Sequence, residues 1–376
     1  MKRSADARSR IEAFADEGVR APVRGMRIAI LHYTLPPVIG GVERVVGEQA
    51  AALRTLEHEV TLFDRSADAH IRFQAWMERE CPHAPMTKAD EGSRAPQRSA
   101  VIVHNVFTMA FDLAWTRELL ELTQTRPDIR WINWVHDVRW SENVPLAVHV
   151  AVSAHRKSEY AQVTAEPIYV IPNGCDAVAV LGLTETVAAL KLDNAGLVLL
   201  HPTRFVRRKN IELGLRVLAE LSEAFYVVTA APDPHQADGM AYFSELEELA
   251  MALGVRERVL FLGESSPLSD DDVRSLYQMA DALFFPSTQE GYGLPLIEAA
   301  LHGVPVFCSD IPAHREVAVG AEFFALSESA ESVAKKIRAH VGVALRQERR
   351  GLMRRLAWER IGREMVNPLL LGGSAP

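Results

Sequence analysis

The chain of 376 residues contains only three cysteines, Cys81, Cys175 and Cys308, which lie far apart and without CxxC spacing. Scattered cysteines in odd number argue against a disulfide framework or a zinc site, and they favour a reducing compartment. No segment has the roughly 18 consecutive apolar residues that a membrane-spanning helix needs. The thirteen histidines form no HExxH pattern. These absences predict a cytoplasmic protein that holds no metal.

An excess of positive charge is also missing, because 41 Lys and Arg stand against 49 Asp and Glu. A general nucleic-acid binder needs a basic face, so no nucleic-acid partner is expected. Residues 1–24 lack the apolar run of a signal peptide and are expected to form a mobile leader. The Arg-rich stretch 346–365 leaves a peripheral contact with the inner face of a membrane open, although a solvated helix face is the preferred interpretation.

Short apolar runs alternate with segments of helical period throughout the chain. Between 42 and 53, for example, Val42, Val45, Val46, Ala50 and Leu53 fall on one helical face. Continuous apolar strands separated by helices indicate parallel sheets that are covered on both faces. The candidate strands form two sets of six, at 27–32, 59–63, 100–104, 130–136, 147–152 and 168–171, and at 197–201, 225–230, 258–262, 282–285, 304–308 and 322–325.

Two such sets predict an α/β protein with two doubly wound, Rossmann-like domains. The turn at Asn173-Gly174 closes the first set. We predict an N-terminal domain over 25–178, a C-terminal domain over 179–355, and a final helix over 356–376 that packs back on the N-terminal domain. The stretch 177–194 would be the linker between the domains, and the polar stretch 88–99 a surface loop.

A glycine pair, Gly40 and Gly41, follows the first strand and opens a helix. Glycine lets the backbone approach a ligand closely, and the free N–H groups of a helix start attract anions. We therefore interpret the pair as a phosphate-binding turn. The pattern is not GxGxxG, and a tight strand-to-helix turn without a ligand explains it as well.

A basic segment, 204–210, follows the first strand of the second set. It holds Arg204, Arg207, Arg208 and Lys209. Ligands of open α/β sheets bind at the carboxyl ends of the strands, and an arginine fork with a lysine suits a diphosphate. The alternative is a solvated basic loop.

Residues 285–300 carry the most specific pattern, because a strand, a glycine-containing loop and a helix start follow one another. Glu290 lies on the loop, Gly293 and Leu294 lie at the helix start, and Glu298 lies on the first turn. A helical side chain leans toward the N-terminus, so Glu298 should face the ligand that the loop touches and bind vicinal hydroxyls. Alternatively, both glutamates merely favour a helix N-terminus.

Two further candidates have opposite interpretations. His136 ends a strand of the N-terminal domain, which makes it a candidate for the active site, although a lone histidine is commonly structural. The acidic cluster 270–272 resembles a metal site. It follows Ser269 and precedes residues at helical spacing, so we interpret it as a capped helix start.

Together these motifs resemble the retaining glycosyltransferases of family 4, which have the GT-B fold, from about Met26 to the last helix. The stretches PPVIGGVERVV, VIPNGCD and EGYGLPLIEAALHGVPVFCSD are similar to the family's glycine motif, domain-closing turn and E-x7-E region. The resemblance assigns Glu290 and Glu298 to the two glutamates, Arg204 and Lys209 to the diphosphate-binding pair, Gly41 to the phosphates and His136 to the active-site histidine. The chain departs from the family at Glu57, where glycine is common, and at HPTRF, which replaces VGRL.

The resemblance implies transfer of a hexose, with retained anomeric configuration, from a UDP- or GDP-linked sugar to a carbohydrate or glycoconjugate acceptor. Neither a metal nor another cofactor is expected, and the two domains would face a central cleft with the acceptor mainly on the N-terminal side. A sugar-nucleotide 2-epimerase and a catalytically silent sugar-nucleotide-binding protein on the same fold are the alternatives.

Overall fold

The computed structural model describes residues 25–81, 99–109, 111–139, 144, 146–229, 237–264, 268–341 and 345–373. The predicted leader over 1–24 and nearly all of the predicted loop over 88–99 lie outside these residues. The described chain folds into two compact units. The first unit comprises residues 25–176 together with 355–373, and the second comprises Ala177–Arg354.

The first unit contains a sheet of six parallel strands in the order β2-β1-β3-β4-β5-β6. The strands are β1 (Arg27–Leu31), β2 (Glu59–Phe63), β3 (Ser99–His104), β4 (Arg130–Val135), β5 (Val148–Ala151) and β6 (Ile168–Val170). Its helices are α1 (Gly41–Thr55), α2 (Ala67–Glu80), α3 (Leu113–Thr125) and α4 (Ala154–Tyr160). The strand order reverses between β1 and β3, where doubly wound sheets place their ligands.

The second unit contains six parallel strands in the order β12-β11-β10-β7-β8-β9, and this order reverses between β7 and β10. The strands are β7 (Leu197–His201), β8 (Ala224–Val228), β9 (Val259–Phe261), β10 (Ala282–Phe285), β11 (Val306–Ser309) and β12 (Glu322–Phe324). All twelve predicted strands are present to within two residues at each end, which confirms the α/β class with two doubly wound parallel sheets.

The helices of the second unit cover both faces of its sheet. They are α5 (Ala177–Leu181), α6 (Glu185–Ala188), α7 (Ile211–Glu220), α8 (Ala237–Ala252), α9 (Asp270–Met279), α10 (Leu294–Leu301), α11 (Pro312–Val317), α12 (Ala330–His340) and α13 (Leu345–Arg355). Alternate residues of its central strands contribute to two separate apolar clusters: Leu199 and Tyr226 lie in one, Leu200 and Val227 in the other. Side chains of a strand alternate between the faces, so these continuous apolar strands fill a core on each side.

The predicted linker over 177–194 is part of the second unit, which corrects the expectation of a connecting segment. It forms α5, α6 and a short 3-10 turn at Leu192–Asn194. Val187 and Leu192 are buried in the core of that unit, and the Thr184 hydroxyl donates a 2.6 Å hydrogen bond to Asp272 Oδ1. The apolar residues of this stretch therefore pack against the sheet rather than spanning a gap.

The end of the described chain returns to the first unit through α14 (Trp358–Ile361), a π-helical turn at Gly362–Val366 and α15 (Asn367–Leu370). Trp358, Ile361 and Leu369 are buried in the same apolar cluster as residues of α1 and β1. The Trp358 indole N–H donates a 2.8 Å hydrogen bond to Glu48 of α1. These contacts hold α1 between the sheet and the last helices.

Candidate functional site

The second unit brings the two strongest sequence motifs to one edge of its sheet. The basic segment 204–210 follows β7, and the loop 286–293 follows β10, the neighbouring strand at the reversal of strand order. The Thr288 N–H donates a 2.8 Å hydrogen bond to the Arg208 carbonyl, and the Asn210 side chain donates a 3.2 Å bond to the Pro286 carbonyl. The two loops are therefore tied into one surface.

Glu290 and Lys209 form the centre of this surface. The Lys209 ammonium group donates to Glu290 Oε1, and their side chains are only 12% and 7% exposed. Arg208 Nη1 lies 3.1 Å from the other carboxylate oxygen, and Ser287 Oγ donates a 2.7 Å bond to Oε1. Burial alone would raise the pKa of Glu290, but the hydrogen bonds from Lys209, Ser287 and Arg208 outweigh it and lower the pKa. Glu290 is thus held as an anion.

The remaining arginines of the segment differ in their contacts. Arg207 pairs with Glu245 at 2.7 Å and lies over the ring of Tyr242. Arg204 is exposed, and within the described part of the chain its guanidinium group has no hydrogen-bond or ion-pair partner. Arg204 is therefore the arginine of this segment whose fork is available to an external anion.

The start of α10 adds backbone donors to the same edge of the sheet. Gly293 precedes the helix with φ +100°, a conformation that glycine adopts without a steric penalty, and Leu294 after it is exposed. Glu298 lies on the second turn of the helix, and not on the first turn that the sequence had suggested, because the helix begins at Leu294. It is exposed and accepts a 2.8 Å hydrogen bond from the hydroxyl of Tyr277. That buried tyrosine fixes the direction of the carboxylate, so Glu298 is presented to solvent in an ordered position.

In the first unit, Gly40 and Gly41 lie at the start of α1, as the sequence indicated. The Glu43 carboxylate turns back over this start, since a Cβ atom on Gly40 would lie 2.0 Å from Glu43 Oε2. It also accepts a hydrogen bond from the Thr34 hydroxyl. A Cβ atom on Gly41 would meet no atom within 4 Å. The helix start thus carries a carboxylate of its own beside an open space.

His136 directly follows β4 and lies in a chain of buried polar side chains. Its Nε2 is 2.9 Å from Nδ1 of His104, whose Nε2 is 2.9 Å from Gln49 Oε1. The other ring nitrogen of His136, Nδ1, lies 3.5 Å from the amide nitrogen of Asn173. The two imidazole rings stack at 5.2 Å between centroids. Burial lowers the pKa of His136 to about 3, so the ring is neutral at physiological pH.

Sequence reasoning missed the partners of His136, which are His104, Asn105 and Asn173, and it missed Gln49, the partner of His104. The Asn105 side chain accepts a 2.8 Å hydrogen bond from the backbone N–H of His136 and so fixes the turn after β4. A signal did exist for Gln49, because it lies on the apolar face of α1 beside Val45, Val46 and Leu53. A polar side chain at such a position needs a buried partner.

The acidic cluster 270–272 is the start of α9, as predicted. Ser269 caps the helix in a capping box, since its hydroxyl accepts from the Asp272 N–H while the Asp272 carboxylate accepts from the Ser269 N–H. Among the described residues, no group of three or more His, Cys, Asp and Glu side chains is placed to hold a metal ion. In the same part of the chain, no helix has both the length and the hydropathy of a membrane span.

The fold and the site define a protein of two doubly wound α/β units, one of which carries a basic, glutamate-containing edge. Residues 184–342, which form most of that second unit, match the family model for glycosyl transferases group 1. The chain is 35% identical over 124 residues to the D-inositol 3-phosphate glycosyltransferase of Mycolicibacterium gilvum, covering 33% of this chain and 27% of the relative. It is 40% identical over 76 residues to the O-antigen chain mannosyltransferase RfbU of Salmonella typhimurium, covering 20% of this chain and 21% of the relative.

These matches span about a quarter or less of the length of the curated relatives. Among solved structures, the chain is similar to Anabaena HepE in complex with UDP and glucose, with 18% identity, a TM-score of 0.38, and coverage of 92% of this chain and 99% of the other. It is also similar to sucrose-phosphate synthase from Thermosynechococcus elongatus, with 17% identity, a TM-score of 0.36, and coverage of 91% and 98%.

Proposed function

We propose that this protein is a retaining glycosyltransferase of the family 4 type. It transfers a hexose from a UDP- or GDP-linked sugar to a hydroxyl of a carbohydrate or glycoconjugate acceptor. The observation that carries the proposal is the surface formed by the loops after β7 and β10. There Lys209, Arg208 and Glu290 are bonded together beside Arg204, which has no partner among the described residues. The family match over residues 184–342 includes all of these side chains.

The chemistry of this surface suits a diphosphate that leaves during transfer. Negative charge grows on the leaving diphosphate, and preorganised cations and backbone donors lower the barrier where that charge develops. Arg204 and Lys209 supply the cations, and the start of α10 after Gly293 supplies N–H donors. Glu298, held by Tyr277, binds the ribose hydroxyls of the donor, and Glu290 contacts the transferred sugar once the diphosphate takes over its cations.

His136 of the first unit contacts the sugar or the acceptor. Gly40, Gly41 and the start of α1 offer backbone N–H groups to a phosphate of the donor. The reaction uses neither a metal nor another cofactor. The protein works at the cytoplasmic side of the cell, where nucleotide sugars are its donor substrates.

A transfer assay tests this proposal. The protein is incubated with UDP- and GDP-hexoses and with a panel of sugar acceptors in excess EDTA, and the products are followed by NMR. We expect one donor to be consumed with release of a nucleoside diphosphate, and the new glycosidic bond to keep the anomeric configuration of the donor. Inverted configuration, a requirement for added Mg²⁺, or conversion of the donor to its 2-epimer would each contradict the proposal.

A further inference from the structure

His104 and Gln49 have no role in the proposed reaction so far, yet they form a continuous hydrogen-bonded chain with His136. The chain runs from α1 through the last residue of β3 to the residue after β4, and it ends at Asn173, which follows β6. His104 has no exposed surface, and Gln49 and His136 are nearly as buried. Each hydrogen bond in this series holds one hydrogen, so the position of one hydrogen determines the positions of the others.

Two neutral imidazoles that meet nitrogen to nitrogen fix each other's tautomer. The 2.9 Å gap between His104 Nδ1 and His136 Nε2 holds one hydrogen, so one nitrogen donates and the other accepts. Gln49 is oriented with its amide oxygen 2.9 Å from His104 Nε2, where an oxygen accepts, while its amide nitrogen is buried without a partner among the described residues. In this orientation of the Gln49 amide, His104 carries its hydrogen on Nε2 and accepts at Nδ1. His136 must then carry its hydrogen on Nε2, which leaves Nδ1 unprotonated.

We propose that His104, braced by Gln49, is a positioning residue that fixes His136 in the Nε2–H tautomer, so that Nδ1 of His136 serves as a hydrogen-bond acceptor for a substrate hydroxyl. Asn173 marks the place of that hydroxyl. Its amide nitrogen donates to His136 Nδ1 across 3.5 Å, a long bond that a hydroxyl group readily replaces. The Asn173 oxygen is buried without a partner among the described residues, so it is a second acceptor beside the same place.

The surroundings keep this arrangement neutral. The His104 ring stacks with the rings of Trp134 and His136, with centroids 5.6 Å and 5.2 Å apart. Burial is the largest cause of the lowered pKa values of His104 and His136, and the nearby His32 lowers both further. His32 is the titratable side chain that acts on both histidines, and its own Nε2 lies 3.8 Å from the Glu43 carboxylate. A neutral imidazole with a fixed lone pair accepts from a hydroxyl without taking its proton, which suits recognition of a sugar.

This inference deepens the proposed function, but its first test is independent of activity. Long-range ¹H–¹⁵N spectra distinguish protonated from unprotonated ring nitrogens, and the His136 signals are identified by their loss in His136→Ala. We expect an unprotonated Nδ1 and a protonated Nε2 in the unmodified protein. We expect a mixture of tautomers in His104→Phe, which keeps the ring stack but removes both nitrogens. A protonated Nδ1 in the unmodified protein, or an unchanged His136 in His104→Phe, overturns the proposal.

Kinetics give the second test. His104→Phe and Gln49→Met should lower kcat. We expect about tenfold or more for His104→Phe, the size of the loss seen when the partner of a metal-bound imidazole is removed. The Kd for the nucleoside diphosphate should stay within about twofold, since nucleotide contacts are assigned to the other unit. His104→Asn places an amide oxygen near the former Nδ1 and should restore part of kcat. His149→Gln replaces a buried histidine of β5 that is not hydrogen-bonded to Gln49, His104 or His136, and it should leave kcat unchanged.

A loss in His104→Phe that His104→Asn does not restore, or an equal loss in His149→Gln, would show a general packing effect and overturn the positioning role. If no transfer is found in the unmodified protein, the proposed function fails, while the spectra still decide whether His104 sets the tautomer of His136.

Discussion

The two units share one architecture but differ in the chemistry at the carboxyl ends of their strands. In the first unit, neutral imidazoles and amides meet there, in the chain from Gln49 through His104 and His136 to Asn173. In the second unit, charged groups meet there, and Glu290 is bonded to Lys209 and Arg208. Neutral groups of fixed direction suit hydroxyls, and cations suit phosphates. Under the proposed function, the first unit recognises the sugar and the second binds the diphosphate.

The same contrast holds in the interiors. In the second unit, a buried ion pair joins Arg350 to Asp281 at 2.6 Å, and Asp281 also accepts a 2.6 Å hydrogen bond from the Val198 N–H. Arg350 donates to the carbonyl of Gly196 as well. In the first unit, the buried polar groups of the sheet include Asn133, whose side chain bonds to the Tyr160 hydroxyl and approaches His149. These two sets of buried contacts are thus charged in the second unit and neutral in the first.

The largest expected effect concerns the cations of the second unit. Arg204→Ala and Lys209→Ala should each lower kcat/KM by about a hundred- to a thousandfold, because one donor to the developing charge is worth about 3–4 kcal/mol. Arg207→Ala is the matched control, since Arg207 pairs with Glu245 away from Glu290. Steady-state kinetics on the three variants checks this. Near-normal kcat/KM in Arg204→Ala and Lys209→Ala would show that the diphosphate does not bind at this edge of the sheet.

The next effect concerns the pH dependence of stability, which should differ between the two units. Burial lowers the pKa of His136 and His201 to about 3 and of His149 to about 4. These pKa values of the folded protein lie below the ordinary histidine value of 6.5. As the pH falls below 6.5, these histidines become protonated in the unfolded chain but stay neutral in the folded protein, which favours unfolding. Each such histidine then costs about 1.4 kcal/mol of unfolding free energy per pH unit, down to about its folded pKa.

Among the described residues, the histidines with lowered pKa values are His32, His104, His136 and His149 in the first unit, and His201 and His314 in the second. Between pH 7 and pH 5 the first unit should therefore lose protection from hydrogen exchange before the second. His149→Gln should flatten the pH dependence of the first unit, and His201→Gln that of the second. Earlier loss in the second unit would contradict the neutral character assigned to the first.

The smallest effect concerns backbone conformation at one residue of each unit. Glu57, at the end of α1, has φ +66°, and Lys191 in the second unit has φ +53°. Glycine adopts such angles without the steric cost that a side chain brings, so Glu57→Gly and Lys191→Gly should each raise the free energy of unfolding by up to about 1 kcal/mol. Glu121→Gly, on an exposed position of α3, should lower it by about the same amount. Urea unfolding of the three variants measures these changes.

The strands and the capped start of α9 could be predicted from the sequence because their signals are local. A continuous apolar run marks a buried strand, and Ser269 lies three residues before Asp272, as a capping box requires. Glu57 stands where glycine is common in the family that the sequence resembles, but the sequence analysis predicted no backbone conformation for it. The structure shows that the backbone at Glu57 is left-handed.

The polar chain around His136 could not be predicted in the same way. Gln49 and His104 are 55 residues apart, and His104 and His136 are 32 apart, so the sheet alone brings them together. The Glu43 carboxylate over Gly40 and the ion pair between Lys209 and Glu290 likewise depend on how the chain closes. Sequence identified the residue types at the strand ends, but their partners are set by tertiary packing.

Calorimetric titration with UDP and GDP tests the central claim most directly. We expect one of them to bind, and Glu298→Ala to weaken its binding by about 1–3 kcal/mol, because buried ribose hydroxyls lose their acceptor. Glu290→Ala and His136→Ala should leave that affinity almost unchanged while they depress turnover. Binding of neither nucleotide, or a loss of affinity in His136→Ala that matches or exceeds the loss in Glu298→Ala, would contradict the assignment of the nucleotide to the second unit.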